Sequence, residues 1–504
     1  MRAILLILAL AGQLRAACDQ DAAFGSSGLL TYSSPSGGPA ALGADLTQLS
    51  DGRILVVGAG LRPGGDQDAA WWAIDSAGNL SVSSALDGLA GGPDERYLAV
   101  AQAPSGGPVY LAGWASDSGG NTVTVLTRLS FPSLAPDASF GTAGSVTLSG
   151  GTQALGVAVD SSGRPYLGLN GQILRFTNSG ALDGTYGSAG AMSFDGAAIA
   201  EEIEFDSQGR LYIAGAIPSG AAIWRLNIGA GSLDLSFGGS GKVSHTAGAI
   251  NEGWTSLALD GADGPLASGQ SFDPPSQSKA TAVHYAPGGS TTYAFQDAAV
   301  SNTFGQEVAG GLLFNADGST LLLGQSPSGF NTYPALWRLT AAGALDSSFG
   351  SAGQRVLGSP GLFAKARHAG TYSFATGYVG ATMALWRFGG CGAVLPGSGG
   401  TPTPDTGIGQ FGVVLNSDPM VFPQPASSHV SFGFNVYEAC KGVLELFDER
   451  GIRVKSFDLA LPVGLTTWPM PMEDLGSGVY LYRIKLEGPS GRNNKVVGKL
   501  AVLR

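Results

Sequence analysis

Residues Ala344-Leu-Asp-Ser-Ser-Phe-Gly-Ser-Ala-Gly353 carry the pattern Leu/Ala-Asp-x-x-Phe/Tyr-Gly-x-x-Gly, and four other stretches repeat it. These end at Gly28 (DQDAAFGSSG), Gly144 (PDASFGTAG), Gly190 (ALDGTYGSAG) and Gly241 (SLDLSFGGSG). A phrase recurring at long, near-constant spacing marks an array of similar structural units. The aromatics Phe24, Phe140, Tyr186, Phe237 and Phe349 are separated by 116, 46, 51 and 112 residues. The two wide gaps therefore each hold an eroded copy. One falls near Ser84, where Ile74-Asp-Ser-Ala-Gly-Asn-Leu80 matches the lead-in Phe176-Thr-Asn-Ser-Gly-Ala-Leu182. The other falls near Tyr293, after His284-Tyr-Ala-Pro-Gly-Gly289. Seven registers result, with a period of ~54 residues.

Within a register the chain alternates short apolar runs with Asp-x-x-Gly turns. Ala154 to Val159, the turn Asp160-Ser-Ser-Gly163, Pro165 to Leu169 and Gln172 to Phe176 are one set. Ile203 to Phe205, Asp206-Ser-Gln-Gly209, Leu211 to Gly215 and Ala222 to Leu226 are the next. Such runs are strands joined by tight turns. The run after each Phe-Gly phrase, such as Val146-Thr-Leu148, makes a fourth strand, and helical periodicity is absent. The expected fold class is all-β: a seven-bladed β-propeller over 18–395, then an immunoglobulin-like β-sandwich over 410–504. Between them, 396–409 is a Gly/Pro/Thr linker. Strands of the sandwich are expected at His429 to Phe434, Val443 to Phe447, Ile452 to Phe457, Gly478 to Leu486 and Val496 to Leu503, with a turn at Asp448-Glu-Arg-Gly451.

The repeated phrase resembles the delta-60 repeat of bacterial exported proteins, over roughly residues 19–390. That resemblance implies a propeller-like array and transfers no active site. Asp418-Pro-Met-Val-Phe-Pro-Gln-Pro425, Leu446 to Val454, Gly476-Ser-Gly-Val-Tyr480 and Val497-Gly-Lys-Leu500 resemble the C-terminal sorting domain of type IX secretion cargo, and the related sandwich of flagellar hook-capping proteins. The resemblance implies that 410–504 routes or anchors the protein through secretion machinery, or acts as an assembly module.

Composition fits an exported chain. Residues 1–17 read as a signal peptide: Arg2 at the positive end, an apolar stretch from Ile4 to Ala11, and an Ala-rich cleavage region ending at Ala17. Later stretches are too short in apolar length for a transmembrane segment. Net charge of −11 with only 13% charged residues argues against nucleic acid as a partner. The expected location is secreted or at the outer cell surface, as a monomer. Cys18 and Cys391 occupy adjacent repeat coordinates, which predicts a disulfide closing the ring; a lipid on Cys18 is the other reading, with Arg15 against it. Cys440 is expected to be a buried thiol of the sandwich.

Chemistry is sparse. Arg128, Arg175, Arg225, Arg338 and Arg387 share one register, and Asp137, Asp183, Asp234 and Asp346 another. Residues present in most repeats build the repeat, so they read as strand-to-turn ion pairs and not as an anion site. Trp224, Trp337 and Trp386 likewise read as inter-unit packing. The histidines His245, His284, His368 and His429 have no metal-ligand spacing, and Asp260-Gly-Ala-Asp-Gly264 reads as a turn. No catalytic residue, cofactor or metal is expected. The function expected is non-enzymatic binding or adhesion to an extracellular ligand or surface polymer, with contact surface at 60–70, 114–121 and 271–280. The alternative is a secreted lyase or hydrolase of extracellular polymers, for which His245, His284 and Glu307 are the residues to test.

Overall fold

The computed structural model describes residues 19–389 apart from 151, 197, 230, 247–249, 274–276, 298–306, 316, 329–330 and 370–371. It also describes 415–502 apart from 423–428, 437–438, 449–451, 462–463, 472–474 and 489–492. The expected signal peptide at 1–17, Cys18, Cys391 and the expected linker at 396–409 lie outside these residues. The fold is all-β; among the described residues the only helical element is one turn, Pro104–Gly106.

Between Asp19 and Gly389 the described strands form seven antiparallel sheets, here called units 1 to 7. Their first strands are Ala41–Gln48, Gly91–Gln102, Gly156–Val159, Ile199–Phe205, Ile250–Leu259, Val308–Phe314 and Gly361–Ala369. Each first strand touches that of the next unit, and the seventh touches the first, so the sheets form a closed cycle. The closure mixes chain ends. Leu29–Tyr32 and Asp19–Gln20 complete unit 7 beside Thr382–Gly389, with Leu29 opposite Trp386 and Asp19 opposite Gly389. The two wide gaps in the phrase spacing each contain a complete sheet, units 1 and 5. There the fourth strand, Leu80–Leu86 or Thr291–Gln296, follows its turn directly instead of passing through a Phe-Gly phrase.

Local chemistry explains the turns. Asp160 Oδ1 accepts the N–H groups of Ser162 and Arg164, and Gly163 takes φ +80°. Asp206 does the same for Gln208 and Arg210, and Asp260 for Ala262 and Gly264. An aspartate that caps its own turn, with a left-handed glycine behind it, fixes each strand reversal. Asp260–Gly264 is such a turn with Asp263, at φ +67°, in the glycine's place.

In units 2, 4 and 7 the phrase clamps the unit to the next. Arg225 Nε pairs with Asp234 at 2.8 Å, Nη1 donates to Tyr212 Oη at 2.9 Å and to the carbonyl of Pro287 in the following unit, and the guanidinium lies 5.0 Å from the Phe237 ring centre. Arg128 pairs with Asp137 and reaches the carbonyl of Asn178; Arg387 pairs with Asp21 and reaches that of Ser76, across the closure. Arg175–Asp183 and Arg338–Asp346 complete the series. Trp224, Trp337 and Trp386 are buried in clusters shared by adjacent units.

The C-terminal residues form a three-stranded sheet (Leu415–Phe422, His429–Val436, Gly464–Pro471) and a four-stranded one (Arg453–Leu461, Cys440–Phe447, Gly478–Glu487, Asn493–Val502). Phe432, Phe434 and Met470 from the first sheet share one core with Leu444, Ile484 and Leu500 from the second. Cys440 is buried in that core.

Candidate functional site

Six of the seven first strands carry a one-residue bulge at the same place. The ladder slips between Gly43 and Asp45, Tyr97 and Ala99, Ala200 and Glu202, Trp254 and Ser256, Ala309 and Gly311, and Phe363 and Lys365. A bulge bends its strand and re-aims the side chain that follows it. The other bulged units place Ala, Gly or Ser there. Units 1, 4 and 7 place Asp45, Glu202 and Lys365.

These three meet. Lys365 Nζ donates to Glu202 Oε2 at 3.0 Å, to the Thr255 carbonyl at 3.2 Å and to Ser256 Oγ at 3.3 Å. Arg367 Nη2, two residues on, donates to Glu202 Oε1 at 2.7 Å and stands 3.8 Å from Asp45 Oδ1. Glu202 also accepts the Leu257 N–H, and Asp45 Oδ2 accepts that of Val100 at 2.9 Å. Units 4 and 7 are not neighbours in the cycle, so their ion pairs span its centre. Asp45, Glu202 and Lys365 are 0% exposed. Burial pushes Asp45 up to about 8 against the pull of Arg367 and Lys365; burial, then Glu202, push Glu204 up to about 8. The network ties units 1, 2, 4, 5 and 7 together and buries Glu202, Lys365 and Arg367 as ion pairs, with Asp45 Oδ1 beside them but without a hydrogen bond. Such an arrangement can hold a ring in register; it offers no exposed base or nucleophile.

The residues named for a catalytic reading lie elsewhere. His245 sits on the outermost strand of unit 4, Lys242–His245, stacked on Trp254 at 5.5 Å, and burial lowers its pKa. His284 is on a third strand, Gln277–Tyr285, with Nε2 2.9 Å from Asp260 Oδ2 and its ring against Tyr293 and Phe314. Glu307 is buried and accepts Ser326 Oγ at 3.0 Å; burial and the Asp297 carboxylate push it up to about 7. Three residues before the bulged residue, Glu307 is register-equivalent to Glu95 and Glu252, also buried, so its place is shared by three of the six bulged units. None of the three joins the axial network. His368 bonds to Ser373 and the Phe314 carbonyl, and the His429 side chain is outside the described residues. The insertions 60–70, 114–121 and 271–280 all fall on the hairpin between second and third strands, in units 1, 2 and 5, and so share one rim.

Sequence reasoning passed over the axial residues. A signal existed: Gly361-Leu-Phe-Ala-Lys-Ala-Arg-His-Ala369 places two cations two apart in an apolar strand, and Ala200-Glu-Glu-Ile-Glu204 supplies the opposite charge. Nothing in one sequence shows that strands 163 residues apart meet at an axis.

No family model and no curated protein matches this chain. Solved structures similar to it include the extracellular domain of a hybrid two-component system of B. thetaiotaomicron, at 10% identity and TM-score 0.39, covering 94% of this chain and 57% of that one. The chain thus spans little more than half of that domain's length. Sqt1 from Chaetomium thermophilum is 11% identical with TM-score 0.41, over 74% of this chain and 90% of that one. An ulvan lyase of polysaccharide lyase family PL25, solved with a saccharide, is 10% identical with TM-score 0.44, over 72% and 97%. These scores are too low to bear on function.

Proposed function

We propose that this protein is an exported seven-bladed β-propeller of delta-60-like repeats that binds an extracellular ligand or surface polymer without turning it over, and that its C-terminal immunoglobulin-like module sorts or anchors it. The observation that carries the reading is the axial network: Glu202, Lys365 and Arg367, with Asp45 beside them, are buried side chains joined across the centre of the cycle. That leaves the hairpin rim, where 60–70, 114–121 and 271–280 break the repetition, as contact surface. The closed cycle of seven sheets supports the propeller, and the shared core of the two C-terminal sheets supports the sandwich. Among the described residues no helix is long and apolar enough to cross a membrane.

A Cys18–Cys391 disulfide belongs to the same proposal. Strand Asp19–Gln20 pairs with Phe388–Gly389, which brings the described chain to within one residue of Cys18 and two of Cys391. Fractionation with intact-mass analysis of the secreted form tests signal cleavage, disulfide and module retention together. Release of a mature chain starting near residue 18, two hydrogens lighter than the reduced mass, is expected. Incubation of the purified chain with cell-wall and extracellular polysaccharides should show co-sedimentation without new reducing ends or unsaturated products. Turnover of any such polymer would replace this reading with the lyase or hydrolase one.

A further inference from the structure

Units 1 and 2 bring an acidic cluster together at their junction. The hairpin between strands Ile54–Leu61 and Gln67–Ile74 carries Arg62 and Asp66 and leads into Asp68. The connection to unit 2 adds Asp87, and its first strand adds Asp94 and Glu95. One carboxylate oxygen from each of Asp68, Asp87 and Glu95 lies within 4.8 Å of the other two. Asp68 and Glu95 are buried while Asp87 is exposed, so the group has a solvent side. Arg62 faces it, with Nε 3.0 Å from Asp68 Oδ1 and Nη1 and Nη2 at 2.8 and 2.7 Å from the two Asp87 oxygens.

Glu95 is the informative member. It is 0% exposed; Oε1 accepts the Leu89 N–H at 3.0 Å, and Oε2 has no hydrogen-bond partner. Gln67, also 0% exposed, has neither amide atom bonded. A buried carboxylate oxygen without a donor costs free energy that native structures rarely leave uncompensated. One oxygen of Glu95 also stands beside the two other carboxylates. An all-oxygen donor set with one wet side suits a hard divalent cation, which keeps waters on its open face.

We propose that Asp68, Asp87 and Glu95 bind one divalent cation of the calcium class at the junction of units 1 and 2, displacing Arg62 toward solvent. The ion would cross-link the 60–70 hairpin to unit 2, and the site stands whether or not that rim binds a polymer. Calcium titration of the full chain by calorimetry, with thermal unfolding in calcium and in EDTA, tests it. One saturable site is expected with Kd of about 10⁻⁴–10⁻³ M, the range of extracellular modules, and a higher Tm in calcium. Asp87→Asn, on the exposed side, should weaken binding at least ~10-fold, on the order of a lost carboxylate ligand, and shrink the calcium-dependent rise in Tm. Glu95→Gln should abolish the calcium-dependent rise in Tm. Absence of saturable binding, or parental affinity in both variants, overturns the site. The purely structural arrangement, with Glu95 protonated and Arg62 a permanent partner, predicts that outcome together with a Glu95→Gln variant as stable as the parent.

Discussion

Lys365 shows how much one side chain is asked to hold. Its ammonium is wholly buried, and three acceptors from units 4 and 5 surround it. Removing one partner of a buried pair leaves the other charged and unpaired, at a cost of about 3–5 kcal/mol. Lys365→Met should therefore lose up to about that much in denaturant unfolding, Glu202 keeping only its Arg367 and Leu257 partners. Lys365→Met combined with Glu202→Leu should recover part of the loss, because an apolar pair of similar volume needs no solvation. A double variant less stable than the sum of the singles would show that the network does not act as a pair. Arg225 makes the same point within the repeat. Its planar fork serves Asp234, Ser236, Tyr212 and Pro287 at once. Lysine cannot span those acceptors, so Arg225→Lys should be nearly as unstable as Arg225→Ala in the same measurement.

Among the elements, the Phe-Gly phrase and its partner turn do the joining. In unit 7 Phe24 packs where a Cβ on Gly78 of unit 1 would stand 3.2 Å away, and Phe140 lies 3.3 Å from the same point at Gly180. Unit 5 has lost the phrase, yet Tyr293 keeps the aromatic's place: a Cβ on Gly343 would come within 2.4 Å of its ring. Gly343 also has φ +78°, so alanine there meets both backbone strain and a ring. Gly343→Ala should cost about 1–3 kcal/mol or more in unfolding free energy, whereas Gly209→Ala, with φ +75° and open space, should show the backbone part alone. Equal losses at the two positions would mean that Tyr293 does not fill the aromatic's role. The phrase spacing makes units 1 and 5 legible from the chain alone, because strand period and turn chemistry are local. The bulge that aims Asp45, Glu202 and Lys365 is not legible there, because a slipped ladder is defined only against the strand beside it.

For the molecule as a whole, charge placement sets a pH profile. Asp45, Glu204 and Glu95 are raised to about 8 and Glu307 to about 7, mainly by burial, so the folded state holds these protons more tightly than the unfolded chain. Their contribution is fully present below the usual carboxylate range and is lost as pH rises toward 8. Asp137, Asp183 and Asp346 are lowered by their Ser and Thr turn partners, and Asp234 by Ser236 and Arg225 against burial; their contribution disappears as pH falls below the usual range. Melting temperature should therefore peak on the acid side of neutrality and decline from about pH 5 to 9, with a shallower decline in Asp45→Asn. A Tm that climbs across that interval would contradict the burial of these acids. Closure should matter as much as charge. Removal of residues 19–32 takes the outer strand from unit 7 and exposes Trp386 and Leu385, so it should lower Tm more than removal of 410–504.

The strand period, the Asp-x-x-Gly turns, the repeat count and the Arg–Asp pairs are written in the order of the amino acids. Each rests on neighbours a few residues apart, or on the same local phrase copied along the chain. Folding in three dimensions settles the rest: that Glu202 meets Lys365 and Arg367 across the centre, that Glu307 shares its register with Glu95 and Glu252, and that Asp68, Asp87 and Glu95 converge between two units. Those contacts join strands whose separation along the chain carries no information about their separation in space. Once the cycle closes, geometry alone brings their charges together.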